Sequence, residues 1–416
     1  MALAAGLSLL WTIFALLAQF SGALDEFEEP SLDWRQSIHS YPTPPSDQLA
    51  LVAIDTIPPE RPWPWSRLDY SLMLRSLVDY APQSLVFEMN LNDRDTNYTS
   101  FDDTFSHIVE RANIVVFAAT AVSAEESATP PSKLDSIPFH GNTRLVSRFK
   151  SAIWPLPTFA GNSPVGANNL ESETGLRLRR LPLVFMLGQK MIPSLVLQAT
   201  AQYLGADLSA SDVQVGRAIF LRRKDGKLLR TIPIDDQGRM RIRFHQGPAT
   251  SWKASFDNIL VYDEQIHRGI TPENDLRSLV KHQVWVGRTD PKERGFKTAV
   301  GQLSRVEIEL QAERTILNQD YVRPLPPMIL AALYLLIGIG GATALIRLGP
   351  VHTGALVLIL LVFWIESSVL AFRLYNVILP LPSFVMLIIG TYIVGFLAAT
   401  WDLEPETDPR QLPLQL

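Results

Sequence analysis

Residues 48–90 read QLALVAIDTIPPERPWPWSRLDYSLMLRSLVDYAPQSLVFEMN, and they set the architecture of the chain. A short apolar run, residues 48–55, ends at a carboxylate and is typical of a buried strand. Residues 66–80 repeat apolar side chains every three or four positions, which indicates a helix. Residues 84–90 return to a strand pattern. A strand, a helix and a second strand at this spacing predict a βαβ unit.

The same alternation continues toward the C terminus. Residues 101–112 predict a helix with Asp102 and Asp103 in its first turn, where the helix dipole favours negative charge. Residues 113–120 (NIVVFAAT) predict a third strand. Because strands joined through helices run parallel with right-handed crossovers, we expect a mixed α/β domain on a mainly parallel sheet.

The middle of the chain has a different pattern. Residues 123–164 are rich in Ser, Pro, Gly and Asn and predict loops with little regular structure. Beyond them, strand-like runs are separated by Asp225-Gly226 and Gln237-Gly238, which suit hairpin turns. We therefore expect an inserted β-meander. The segments are strands at 176–187, 213–221, 228–234 and 239–245, a helix at 193–204, a buried strand at 282–289 and a helix at 304–318.

Four apolar blocks flank this domain. Between residues 328 and 400 the charged side chains, histidine aside, are Arg347, Glu366 and Arg373. Each block is close to the ~20 residues that a helix needs to cross a bilayer. We expect an all-α membrane part with one N-terminal and three C-terminal helices. The expected segments are a helix at 2–24, a water-soluble domain at 25–326, three helices within 327–400 (about 328–346, 351–372 and 377–400) and a short acidic tail at 401–416.

The first block has two interpretations. It is long enough for an uncleaved anchor, and no Lys or Arg precedes it. The alternative is a cleaved signal peptide, because Ser21-Gly22-Ala23 offers small residues for cleavage. Arg347 and His352, between the first two C-terminal blocks, favour the cytoplasmic side for that connection. With four helices, the water-soluble domain would then lie outside the cytoplasmic membrane.

Composition argues against several classes of function. The formal net charge is -5 with no basic stripe, which argues against a nucleic-acid partner. Cysteine is absent, which excludes disulfides and thiolate metal sites. The histidines lack metal-ligand spacing, and no Gly-rich phosphate loop or nucleophile motif occurs. We expect a protein that is not an enzyme and uses no cofactor.

Several segments, in order along the chain, resemble the type-2 CHASE sensory domain, an extracytoplasmic module of bacterial receptors. That family has a strand ending in Ile-Asp, a Trp-Pro-Trp-x-Arg segment, a helix and a strand ending in Phe-Asp. A later strand ends in glycine, a closing helix reads Val-Glu-Ile-His, and three helices follow the domain. The matching residues are Ile54-Asp55, Trp63-Pro64-Trp65-Ser66-Arg67, Phe87-Glu88, Val284-Trp285-Val286-Gly287 and Val306-Glu307-Ile308-Glu309.

The chain departs from the family pattern at four places. The family's Phe-Asp aspartate is Glu88, and the closing histidine is Glu309. Asp69-Tyr70 replaces the usual His-Ala, and Lys297-Thr298-Ala299 lacks the usual proline. Such domains commonly precede a cyclase or kinase, whereas residues 401–416 are too few to form one. The resemblance implies a sensor with a different ligand or none, and an effector on a separate chain.

Five residues form the candidate ligand site. Asp55 and Glu88 end predicted neighbouring strands, and the carboxyl ends of parallel strands line ligand crevices. Arg67 is expected to pair with one of these carboxylates. Trp63 and Trp65 lie in a loop that its prolines stiffen. The alternative is a structural salt bridge capped by packed tryptophans.

Glu366 and Arg373 are candidates for coupling within the membrane. They lie seven positions apart on one predicted helix, hence on the same face. Ionisable residues inside membrane helices are costly and are commonly functional. The alternative is a Glu366 that faces the interior of the helix bundle, or lies near the headgroups, and hydrogen-bonds Ser or Thr.

These observations predict a multi-pass protein of the cytoplasmic membrane with its sensory domain on the extracytoplasmic side. Its expected partners are the lipid bilayer, an unknown small ligand or envelope partner, and a separate cyclase or kinase. Receptors commonly act as dimers, so a homodimer is a further expectation. Two alternatives stay open: a structural or scaffolding envelope protein without a ligand, and a split or truncated receptor whose effector is encoded separately.

Overall fold

The computed structural model describes residues 2–38, 44–95, 98–124, 130–131, 134–161, 163–170, 177–293 and 295–401. These residues divide into two compact units. One is made of Met1–Arg35 and Val322–Leu416, and the other of Gln36–Tyr321. The predicted acidic tail lies, after its first residue, outside the described residues.

Helices and strands alternate along the unit Gln36–Tyr321, and long helices dominate the other unit. The helices are α1 (Ala2–Phe20), α2 (Asp25–Ser37), α3 (Arg67–Val78), α4 (Thr99–Ala112), α5 (Pro157–Ala160), α6 (Leu195–Leu204), α7 (Asn258–His267), α8 (Arg305–Asn318), α9 (Pro327–Tyr375) and α10 (Pro382–Trp401), with a 3-10 turn at Leu276–Leu279. The strands are β1 (Ser46–Ile54), β2 (Ser84–Phe87), β3 (Val115–Val122), β4 (Phe139–His140), β5 (Arg148–Phe149), β6 (Ser151–Ile153), β7 (Val165–Ala167), β8 (Arg180–Pro182), β9 (Val184–Leu187), β10 (Lys190–Pro193), β11 (Asp207–Gln214), β12 (Ala218–Arg222), β13 (Leu228–Pro233), β14 (Arg239–Arg241), β15 (Thr250–Ser255), β16 (Gln283–Arg288), β17 (Phe296–Thr298), β18 (Gly301–Leu303), β19 (Arg323–Pro324) and β20 (Val377–Ile378).

One large sheet organises the unit Gln36–Tyr321. Its strand order is β15-β1-β16-β2-β3, with β6 and β7 beside β3. The pairings β15–β1, β1–β16, β16–β2, β2–β3 and β3–β7 are parallel, and β6 runs antiparallel to β3. The mixed α/β class predicted from the sequence is confirmed.

One feature of the predicted sheet is wrong. β1 and β2 are predicted to be neighbours, but β16 lies between them and pairs with both. Val284, Trp285 and Val286 of β16 have no exposed surface. A strand this apolar is most favourable at the centre of a sheet, because both of its faces are covered there and its side chains are kept from water.

Helices cover both faces of the sheet. In β1, Leu49 and Leu51 enter one core, whereas Ala50, Val52 and Ile54 enter the other, as the alternation of side chains along a strand requires. Buried side chains of α6 and α8 complete the first core, and those of α3, α4 and α7 complete the second. Burial on both faces explains why β1 reads as a nearly continuous apolar run.

The inserted β-region is smaller than predicted. β11, β12 and β13 are antiparallel neighbours, and the Asp225-Gly226 turn joins β12 to β13. β14, expected to extend this meander, pairs with β8 instead. Residues 123–164, expected to be loops, include the short elements β4, β5, β6 and α5. Their two to four residues are too few to produce a hydrophobic period.

The other unit contains candidate membrane spans. α9 is broken at Gly349, whose φ of 77° lies in the left-handed region that favours glycine. The predicted connection around it is therefore a one-residue break. Within the part of the chain that the structure describes, Pro327–Ala344 and Val351–Tyr375 are long and apolar enough to cross a membrane. A third span results if Gly6–Phe20 and Asp25–Ser37, bent by 74°, are taken together.

The last predicted block, 377–400, begins later than expected. α10 starts at Pro382, and its part 382–394 is a shorter apolar helix. The preceding β20 pairs in parallel with β19. The main-chain N–H of Arg323 donates to the carbonyl of Asn376 (2.9 Å), and that of Leu325 to the carbonyl of Ile378 (3.2 Å). Val377 and Ile378, which composition alone assigns to a helix, therefore form a strand instead.

α1, α9 and α10 share an aromatic core. The rings of Trp364 and Phe384 stack with centroids 3.9 Å apart, and the hydroxyls of Tyr334 and Ser383 hydrogen-bond at 2.7 Å. Glu366 does not point into this core. Its side chain is exposed, which contradicts the expectation that it faces the bundle interior, and Arg373 is exposed on the same helix.

Candidate functional site

Polar side chains gather at the edge of the main sheet where the parallel strands end. This edge is where open α/β sheets place their ligands. Thr120 lies near the end of β3, and Arg288 is the last residue of β16. Asp55 follows β1, Glu88 follows β2 and Asn168 follows β7.

A buried ion pair joins this edge to α8. Glu88 is only 6% exposed, and its Oε1 lies 3.3 Å from Nε of Arg305. Arg305 is the first residue of α8. Burial raises the pKa of the Glu88 carboxyl to about 7, and the positive charge of Arg305 opposes that rise.

Asn168 connects the strands around this pair. Its Nδ2 donates to the main-chain carbonyl of Glu88 (3.0 Å), and its own main-chain carbonyl accepts from Nη1 of Arg305 (3.0 Å). The Thr120 hydroxyl donates to Oδ1 of Asn168 (2.8 Å) and accepts from Nδ2 of Asn90 (2.7 Å). The ends of β2, β3 and β7 and the start of α8 are thus tied by one hydrogen-bonded network.

The start of α8 is fixed by a cap and by a glycine. The main-chain N–H of Ser304 donates to Glu307 (3.0 Å), which is one half of a capping box. Gly287 of β16 faces Val306, and a Cβ added at Gly287 would lie 2.6 Å from the Cβ of Val306. Only glycine lets α8 approach the strand this closely, which accounts for the glycine at the end of the strand.

Two further acids on α8 are buried beneath the edge. Glu309 is 1% exposed, and its Oε2 has no hydrogen-bond partner among the described residues. Burial raises the pKa of Glu309 well above its usual value, and the negative charge of Glu88 raises it further. Glu313, one turn on, accepts from Nε1 of Trp285 (2.6 Å) and from the Thr200 hydroxyl (3.3 Å). Burial raises the pKa of Glu313 to about 8.

Arg288 forms the neighbouring part of the edge. Its guanidinium lies 2.8 Å from Asp290 and 3.2 Å from Glu293. It also lies over the half-buried ring of Trp63, 5.0 Å from the ring centroid. Trp63 is thereby placed beside the charged edge, whereas the other predicted tryptophan, Trp65, is not.

The predicted pairing of Arg67 is wrong. Its guanidinium donates to the main-chain carbonyl of Asp93 (2.6 Å) and lies 3.7 Å from Oδ1 of Asp102, away from Asp55 and Glu88. Its main-chain N–H donates to Asp95. The physical reason is that Ser66 and Arg67 begin α3, where unpaired main-chain N–H groups and the helix dipole attract carboxylates.

The other predicted residues are separated. Trp65 is 2% exposed, packs on Phe256 at 5.0 Å and donates from Nε1 to the carbonyl of Arg61 (3.0 Å). It belongs to the core beneath the loop. Asp55 is exposed and accepts from the Ser255 hydroxyl at 2.8 Å. Because β16 separates β1 from β2, Asp55 and Glu88 do not end adjacent strands.

Sequence reasoning missed Arg305 and Asn168. Arg305 had an available signal, because it follows the N-cap Ser304 of a predicted helix and is the first cation of that segment. Asn168 had none, since its neighbours are irregular in pattern. No group of His, Cys, Asp and Glu within the described ranges suits a metal ion.

A comparison with protein-family models identifies the family of the chain. No curated protein and no solved structure matches the chain. The family model of the CHASE2 domain matches residues 8–345, which include the main sheet, α8 and the first half of α9. The resemblance read from Ile54-Asp55, the Trp-Pro-Trp-x-Arg segment and the closing helix is therefore confirmed, and the chain belongs to the CHASE2 domain family, a family of sensory domains.

Proposed function

We propose that this chain is a sensor anchored in the cytoplasmic membrane with its CHASE2 domain on the extracytoplasmic side. The domain binds a small ligand or an envelope partner at the carboxyl edge of the main sheet. The signal passes along the chain from α8 to the candidate spans of α9, and from there to a separate cyclase or kinase. The family membership and the apolar helices support this proposal.

The ion pair between Glu88 and Arg305 is the observation that carries the proposal. A ligand that contacts either side chain changes the contact between the sheet edge and the first residue of α8. α8 ends at Asn318, and α9 begins at Pro327, so only a short segment separates the site from the first candidate span in sequence. A partly exposed Arg305 and Arg288 at the same edge favour a ligand that bears an anionic group.

Ligand-dependent melting tests this function. The full-length protein in nanodiscs is heated with a panel of metabolites that includes carboxylates and phosphate esters. We expect at least one compound to raise the Tm, because a ligand that binds only the folded state stabilises it. The rise should be lost in Arg305→Gln and kept in Arg61→Gln, whose side chain pairs with Asp257 in a different loop.

A scaffolding role is the alternative, and one observation favours it. Asn90, Thr120 and Asn168 satisfy one another at the edge, as in a closed structural network. The scaffolding role is favoured over sensing if no compound in the panel changes the Tm of the wild type. In that case the difference in Tm between Arg305→Gln and the wild type should also be the same with and without each compound.

The effector is tested separately. The full-length protein is purified from its native membrane after mild cross-linking, and the partners are identified by mass spectrometry. Recovery of a cyclase or kinase supports a receptor with its output on another chain. Recovery of structural envelope proteins alone supports the scaffold.

A further inference from the structure

A carboxyl group lies on the outer face of a helix that is otherwise apolar. Glu366 is exposed on α9, in the candidate span Val351–Tyr375. No described residue forms a hydrogen bond or an ion pair with it. The arrangement is the reverse of the usual one, in which ionisable groups of membrane helices face the bundle interior.

The position of Glu366 along the span makes this exposure costly. At about 1.5 Å per residue, Glu366 lies about 14 Å from Tyr375 and about 22 Å from Val351. Since the hydrocarbon core is about 30 Å thick, neither end of the span brings the carboxyl to the headgroups. Without a partner, the group would meet acyl chains that offer no hydrogen bond.

The exposed side chains around Glu366 form a regular stripe. Ile359, Phe363, Glu366 and Leu370 follow one another at spacings of four, three and four, and all four are exposed. At ~100° per residue, the other three lie about 20° to 60° to one side of Glu366. Val362, which is also exposed, lies about 40° to its other side, so Glu366 lies within the exposed face and not at its border. The spacing of the stripe is that of the contact positions in a parallel pair of supercoiled helices.

We propose that this stripe (Ile359, Phe363, Glu366 and Leu370) is the contact surface between two copies of the chain within the membrane. A two-fold axis along the stripe brings each Glu366 against the same residue of the second copy. Two carboxyl groups that share a proton hydrogen-bond each other, so one polar residue within an apolar face is complementary to itself. A different partner would have to supply a matching polar group at the same depth.

Single-cysteine cross-linking tests the surface. The chain has no cysteine, so each variant carries one reactive thiol. Ile359→Cys and Leu370→Cys lie on the stripe. Leu358→Cys is the control, because Leu358 is as exposed as Ile359 but lies about 80° from Glu366 around the helix, on the side away from the stripe. Oxidation in native membranes should link the first two variants at least about fivefold more than the control, because contact positions alone face each other.

The role of the carboxyl is tested by two substitutions. Glu366→Leu removes the hydrogen-bonding group and should weaken dimer association in detergent by about tenfold. Glu366→Gln keeps a hydrogen-bonding side chain of the same size and should retain most of the association. Association is measured by energy transfer between fluorescent copies as the detergent concentration increases.

Three results would overturn the proposal: association of Glu366→Leu equal to that of the wild type, equal cross-linking of Leu358→Cys and Ile359→Cys, or cross-links to another protein without any to a second copy. The inference rests on the proposed membrane anchoring, which alkaline carbonate extraction checks separately. Release of the protein by carbonate contradicts the anchoring itself. Retention in the membrane without cross-links contradicts only the paired copies.

Discussion

Two charged clusters of the CHASE2 domain are built in opposite ways. Around Arg67, carboxylates meet donors of the same loop and the same helix start, and Asp102 lies 3.7 Å from the guanidinium. Around α8, three buried acids share few cations: Glu88 contacts Arg305, Glu309 keeps an oxygen without a hydrogen bond among the described residues, and Glu313 contacts neutral donors. Matched charges fix a loop, whereas an excess of buried acid raises the pKa values of the carboxyl groups on the helix.

The contrast separates two kinds of motif residue. The Trp-Pro-Trp-x-Arg segment contributes Trp65 to the core and Arg67 to a closed set of contacts, so it specifies architecture. Two of the four departures from the family pattern, Glu88 and Glu309, interact near the start of α8, and Glu88 contacts Arg305 there. These two departures therefore lie at the site that the proposal assigns to sensing.

Removal of Arg67 should have the largest effect. Arg67→Met leaves the buried carboxylate of Asp102 without its cation and should lower the free energy of unfolding by about 3–5 kcal/mol. Denaturant unfolding of the detergent-solubilised protein measures the loss. The control is Arg61→Met, whose partly exposed pair with Asp257 should cost about 1 kcal/mol or less. Equal losses in the two variants would remove the contrast between the clusters.

A methyl group at Gly287 should have the next largest effect. Gly287→Ala places a Cβ against Val306 and forces α8 away from β16, at a cost of about 1–3 kcal/mol. The same unfolding measurement applies. Gly340→Ala is the matched control, because its added Cβ meets nothing within 4 Å. A neutral Gly287→Ala would show that α8 is not held tightly on the strand.

The pH dependence of stability tests the buried acids. Burial raises the pKa of Glu313 from 4.5 to about 8 in the folded state. The folded state thus holds more protons than the unfolded state between these values, so stability falls as the pH rises from about 5 to 8, by up to about 1.4 kcal/mol per unit. Glu313→Gln stays uncharged and should remove its part of the slope, while Glu88 and Glu309 keep theirs. Glu264→Gln, at an exposed position, should leave it unchanged, and an unaltered slope in Glu313→Gln would contradict the assignment.

Asp55→Asn should have the smallest effect. The side chain is exposed and contacts Ser255, so the free energy of unfolding should change by less than about 0.5 kcal/mol. This variant also tests the extent of the ligand site. A ligand that contacts the whole edge of the sheet should raise the Tm of Asp55→Asn less than it raises the Tm of the wild type. A large decrease in the free energy of unfolding would instead show that Asp55, like Arg67, stabilises the fold.

Local pattern predicted the regular part of the fold. β1, α3, β2, α4 and β3 follow from the periods of residues 48–120, since each element buries a continuous face. The insertion of β16 between β1 and β2 could not be predicted, because neighbouring strands in a sheet come from distant segments. The same limit applies to the site: Glu88 was identified from its position after a strand, but its partner Arg305 lies far along the chain.

Arg67 shows the complementary limit. Its charge and its place in the motif were correct signals of an ion pair, yet several acids were available as partners. The choice of Asp102 depends on how residues 93–95 and the start of α4 lie against the start of α3, and that geometry has no sequence period. The alternative in which Glu366 faces the bundle interior is wrong for a similar reason, because the rotation of α9 depends on the packing of Trp364 and Phe384.

The short pairing of β19 with β20 links the chain segments that lead into the two long helices of the unit with the candidate spans. Arg323 and Leu325, in the chain entering α9, are bonded through their main chains to Asn376 and Ile378, in the chain entering α10. A displacement of β19 acts on α9 through the chain and on α10 through the paired strand β20. We therefore expect a displacement of residues 323–325 to tilt α9 and α10 together rather than to rotate one of them alone.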